Sequence, residues 1–154
     1  MNEVVQNALI MGVLLAVVVI PIVIVNKQAK AKQKQKLKLR LQQIADENHL
    51  NISKFDFFGT KVIALDKERK CLLYFDNLSA EPALLYDLNK AKTAGIEKSL
   101  SGDIIKEVQL VLKGTDHAAG LSISFYRSPQ DNEMQRKQLI SKAEAWHQTL
   151  SEII

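Results

Sequence analysis

Only one cysteine, Cys71, stands in the 154 residues, so no disulfide can close within the chain. It lies in the apolar run "CLLYF", where a thiol reads as a small buried hydrophobe. The six glycines are isolated and build no phosphate-cradling loop. No Gly-x-Ser-x-Gly, His-Glu-x-x-His or paired Cys-x-x-Cys occurs either. These absences remove the nucleophile-elbow hydrolases, the zinc-helix proteases and the dithiol redox proteins. His49, His117 and His147 fall in a linker, a loop and a helix, with no ligand-type residue spaced to join any of them. Asp66, Glu68 and Asp76 surround one predicted hairpin and read as solvated turn residues. No catalytic, cofactor-binding or metal residue is assigned, and no cofactor is implied. The alternative is an enzyme whose site assembles only in the fold.

Charge is present but unevenly placed. Residues 1–26 hold one charged side chain, Glu3, while Lys27, Lys30, Lys32, Lys34, Lys36, Lys38 and Arg40 crowd into fourteen positions without an acid. The chain carries +4. Less those seven positive charges and Glu3's negative one, residues 41–154 are left at −2. A nucleic-acid-binding domain spreads basic residues over a folded face, so a nucleic-acid partner is disfavoured.

The long apolar run is Ala8–Val25, "ALIMGVLLAVVVIPIVIV". Eighteen uncharged residues at about 1.5 Å each approach the roughly 30 Å of a bilayer core. The basic cluster follows the run instead of preceding it, which predicts an uncleaved anchor and not a signal peptide. The excess of lysine on the C-terminal side then predicts a single pass with the N-terminus out and the rest cytoplasmic, at the inner membrane if the cell is bacterial. On this reading the seven basic residues form a membrane-surface segment against anionic lipid headgroups. Ala8, Gly12 and Ala16 recur at every fourth position, a stripe along which two such helices could pack into a homo-oligomer. Residues 1–26 are thus expected as the anchor, 27–50 as a basic juxtamembrane helix or linker, and 51–154 as a separate domain.

Within 51–154 the periodicity turns to two. "SKFDFFG", "TKVIALD" and "CLLYFD" are short β-rich runs broken by polar turns, and a strand or strand pair is expected in Ala83–Ser99. Val108, Leu110 and Leu112 alternate with polar residues, as do Leu121, Ile123 and Phe125 with Ser122, Ser124 and Tyr126. Ser128, Pro129 and Asp131 mark a helix start. Leu139, Ala143, Trp146, Leu150 and Ile153 then make one apolar stripe. The fold class expected is α+β: a single transmembrane helix, then an antiparallel barrel or sheet capped by a C-terminal amphipathic helix.

That element order, the phrase "LLYDLNKAKTAGIEKS" (Leu84 to Ser99) and the helix carrying Trp146 resemble the pleckstrin-homology-like domain of small bacterial membrane-anchored proteins. The resemblance spans about residues 52–154 and implies a β-barrel closed by the last helix. Members of that family that bind phosphoinositides use a basic pattern around the first strand pair. This sequence departs from it, with only Lys61 there and Lys67, Arg69 and Lys70 in the next turn. The expected function is a non-enzymatic binding or scaffolding module for an unidentified protein partner. The alternative beside the enzyme is a binder of anionic lipid or nucleic acid through Lys27–Arg40.

Overall fold

The computed structural model describes the backbone of residues 3–115 and 119–154, and the side chains of residues 11, 21, 24–115 and 119–154. The chain divides into two units, Met1–Gln42 and Gln43–Ile154. One helix, α1 (Glu3–Glu47), contains Pro21 and runs on through the basic segment, which has no helix-breaking residue between Asn26 and Leu50. It ends in a Schellman turn. The Leu50 amide donates to the Ala45 carbonyl and the His49 amide to that of Asp46, with His49 left-handed at φ 54°.

Two sequence expectations are corrected here. Among the described residues no helix is long and apolar enough to cross a membrane. The transmembrane anchor, and with it the single-pass placement with a cytoplasmic domain, is therefore withdrawn. From residue 24 onward α1 carries seven cations and two acids, so that stretch is too charged to lie within a bilayer core. Met11, Ile24 and Val25 are exposed, while the other side chains of the Ala8–Val25 run, apart from Pro21, lie outside the described residues. The second correction concerns the β domain. It is not one barrel or sheet but two antiparallel sheets, of four and three strands.

The first sheet runs β1 (Lys54–Phe58), β2 (Lys61–Asp66), β3 (Cys71–Asp76) and β4 (Leu84–Asp87), in that order. Gly59, at φ 64°, makes the two-residue turn between β1 and β2 at the position where a side chain would be strained. Strands β2 and β3 are buried on both faces, as their unbroken apolar runs require. Ile63, Leu65 and Leu72 enter the main core, and Val62, Ala64, Leu73 and Phe75 on the opposite face are also shut from water. The second sheet is β5 (Ala91–Ser101), β6 (Ile104–Gly114) and β7 (Leu121–Arg127). A register shift opposite Val108 and Gln109 leaves Phe125 as an extra residue. Both Phe125 and Tyr126 consequently point inward, and Tyr126, expected on the solvent face, is fully buried.

The last helix, α2 (Arg136–Ser151), begins well after the predicted start at Ser128. The Asp131 carboxylate is taken by the Arg127 amide, the Ser128–Pro129 peptide is cis, and Asn132 caps a short 3-10 turn instead. Leu139, Ala143, Trp146 and Leu150 enter one core with Phe58, Ile63, Leu65 and Leu72 of the first sheet and Val108, Leu110, Leu112, Leu121, Ile123 and Phe125 of the second. Polar contacts fix α2 on both sides. Lys142 Nζ reaches Asp56 Oδ1 at 2.6 Å and the Phe57 carbonyl at 2.7 Å on β1. His147 Nε2 lies 3.2 Å from the Ala94 carbonyl on β5.

Trp146 is 1% exposed and is the largest fully buried side chain, with the Lys54 ammonium 4.9 Å from its ring centroid. Replacing Trp146 with Ala is expected to cost about 3–5 kcal/mol, measured by urea unfolding followed by circular dichroism. A loss within the roughly 0.5 kcal/mol typical of surface positions would contradict this packing.

Candidate functional site

A cleft is built where the end of β3, the turn after it, β4 and β7 come together. Tyr74, Phe75 and Asp76 enter from β3, Ser79, Glu81 and Pro82 from the turn, Leu84 from β4, and Leu121 and Ser122 from β7. Its volume is about 240 Å³. Asp76 organises the turn: its Oδ1 accepts the Thr60 hydroxyl at 2.7 Å and the Leu78 amide at 3.0 Å. Ser79 Oγ accepts the Glu81 amide at 3.1 Å. Burial, then the negative charges of Asp76 and Glu81, push the Tyr74 phenol up to about 12. At neutral pH it is a neutral hydroxyl beside an apolar floor of Phe75, Leu84 and Leu121.

One edge of this cleft is β4, the four-residue outer strand of the first sheet. The other outer strands each have a carbonyl held by a side chain from elsewhere: Phe57 of β1 by Lys142, Ala94 of β5 by His147, and Ser124 of β7 by Lys61 at 3.0 Å. Such contacts blunt a sheet edge against pairing with another chain. Among the described residues β4 has no such contact, and its Leu84 and Leu85 are exposed.

A smaller cleft of about 140 Å³ is lined by Glu97, Lys98, Ser99, Glu107 and Gln109. Glu107 is occupied there. The Gln109 amide at 2.7 Å and Arg127 Nε at 2.8 Å outweigh burial and hold its carboxyl below the usual range.

The basic residues singled out from sequence sit along α1. Lys27, Lys30, Lys32, Lys34, Lys36 and Lys38 are exposed and Arg40 is half-buried. At 3.6 residues per turn, Lys27, Lys30, Lys34 and Lys38 share one side, and Lys32, Lys36 and Arg40 the opposite side. The stripe Ala8, Gly12 and Ala16 falls on side chains outside the described residues, as does His117. His49 serves the turn after α1 and His147 holds a strand carbonyl. Among the described residues no three His, Cys, Asp or Glu side chains group to hold a metal.

Sequence reasoning missed the cleft, whose walls come from segments far apart in the chain, and it misjudged Asp66. That residue is not a solvated turn acid but fully buried. Its Oδ2 accepts the Asn51 amide at 2.8 Å and its Oδ1 the Arg69 amide at 3.0 Å, while Arg69 in turn donates to the Asn48 carbonyl at 3.0 Å. Burial alone would raise its pKa. The amides of Arg69, Asn51 and Glu68 and the Arg69 charge overcome that and hold the carboxyl below its ordinary range.

No family model, curated protein or solved structure matches the chain. What the fold itself defines is an α+β domain of two antiparallel sheets sharing one core with a C-terminal helix.

Asp66→Asn is expected to cost about 1–3 kcal/mol at neutral pH, the penalty for leaving buried amides poorly matched. The folded carboxyl titrates below the unfolded one. Its stabilisation is therefore complete above about pH 3.9 and fades as pH falls through the folded value. The stability gap between the wild-type protein and the variant should accordingly narrow in acid, and a gap that stays constant from pH 7 to pH 3 would contradict the assignment.

Proposed function

We propose that this chain is a non-enzymatic binding or scaffolding module that takes a protein or peptide partner at the cleft beside β4. The observation that carries the reading is the make-up of that cleft. It has an apolar floor, hydroxyl and carboxylate groups at its walls, and an outer strand whose Leu84 and Leu85 face solvent. An extended segment can add to such an edge through main-chain hydrogen bonds while a side chain fills the cleft.

The direction of the pKa shifts supports binding over catalysis. A general acid or base works best when its pKa lies near the operating pH. Tyr74 is driven away from neutrality to about 12. The same holds for the other shifted groups among the described residues: burial raises the Cys71 thiol and the Tyr86 phenol, and Asp66 and Glu107 are lowered. A thiol raised in this way is less nucleophilic at neutral pH.

A photo-cross-linking residue placed at Leu85 in living cells should capture a discrete partner, whereas one at exposed Lys92 on β5 should not. Leu84→Asp in the Leu85-labelled protein should lower the yield about tenfold, equivalent to about 1.4 kcal/mol, with the melting temperature unchanged. Equal adducts from both positions, or indifference to Leu84→Asp, would remove the cleft from the binding surface.

A further inference from the structure

The cationic stretch of α1 is a second surface, independent of the cleft. From Lys27 to Arg40 it carries seven positive charges, and no acid appears before Asp46. Six of the seven side chains are exposed, and residues 41–154 are net negative, so the chain's excess of positive charge comes from this stretch.

We propose that Lys27–Arg40 is a docking surface for an anionic lipid surface, held by charge alone. This is a contact at the headgroup layer and involves no spanning segment. Three observations favour that occupant. First, six of the seven cations are lysine, a compact, strongly hydrated point charge suited to a diffuse layer of headgroups, whereas fixed forked contacts call for arginine. Protein interfaces are depleted in lysine and enriched in aromatic residues and arginine, yet the first aromatic residue in the chain is Phe55. Second, Lys27, Lys30, Lys34 and Lys38 line one side of the helix over about 16 Å of axis, which lets four charges meet a flat surface together. Third, Asn26–Lys36 has no apolar residue larger than Ala29 and Ala31. Over those eleven residues there is nothing to sink into the acyl layer, and the exposed Leu39 is one apolar side chain among the seven cations, so charge dominates the contact. Duplex nucleic acid fits less well, because residues 41–154 are net negative and add no excess of positive charge.

Vesicles of phosphatidylglycerol mixed with phosphatidylcholine, and vesicles of phosphatidylcholine alone, would be titrated with the full chain. A variant with all seven residues replaced by Gln, which preserves helix propensity, would be run in parallel. At about 1 kcal/mol per lysine near such a surface, neutralisation is expected to weaken binding to the anionic vesicles at least about a hundredfold. Raising salt from about 0.1 M to about 1 M, which shortens the screening length from about 10 Å to about 3 Å, should release the protein. Neutral vesicles should not bind it. Binding that survives neutralisation or high salt, or that is equal on neutral vesicles, would overturn the proposal. Tighter binding to polyglutamate or to duplex DNA at matched salt would overturn it in favour of an acidic protein or a nucleic acid. An unchanged thermal melt of the Gln variant shows that the folded unit is intact, and the cross-linking at Leu85 reports separately on the cleft.

Discussion

The β domain depends on the burial of one helical stripe. Leu139, Ala143, Trp146 and Leu150 supply the apolar surface that the inner faces of both sheets share. A sheet of three or four strands with one greasy face is not stable in water until that face is covered. Here the helix packs directly on β5, β6 and β7, and its stripe joins the inner face of the first sheet in the same core. Its indole is the largest fully buried side chain, and among the described residues Trp146 Nε1 has no hydrogen-bond partner. That orphaned donor costs free energy, so the packing around the ring must outweigh it.

Because α2 lies against β1 on one side and β5 on the other, its polar rim also sets which sheet edges stay open. Lys142 and His147 leave the apolar stripe and take carbonyls on those strands, and Lys61 does the same on β7. Among the described residues the outer strand without this treatment is β4, and the cleft lies beside it. The proposed binding surface thus follows from how the helix is seated. The other proposed surface, on α1, owes nothing to this core and rests on charge density alone.

How much of this was legible in the sequence varied with the range of the interactions involved. The stripe on α2 and the alternation in β6 follow from local periodicity, and both lie where that periodicity puts them. The Lys27–Arg40 cluster is a matter of composition and needs no fold to be seen. Tyr126 was misplaced because alternation assumes an unbroken ladder, and the extra residue Phe125 shifts the phase by one. Asp66 was misread because a polar turn residue looks solvated until the amides of Asn51 and Arg69 close around it, and Asn51 lies on the other side of β1. The start of α2 was set too early because Asp131 serves the Arg127 amide and not a helical one. The division into two sheets and the cleft between them depend on contacts across tens of residues, which no local pattern records. The apolar run Ala8–Val25 met the length rule for a span, but the helix as described is not apolar enough to cross a membrane.

If α2 is the shared floor of both sheets, it cannot open without exposing both inner faces. Native-state hydrogen exchange tests this directly, since it resolves the free energy of opening for each amide. The amides of Ala143–Leu150 should exchange only with global unfolding, at the same free energy as the central strands β2, β3 and β6. If the α2 amides exchange at distinctly lower free energy while those strands stay protected, the sheets stand without the helix and the account is wrong.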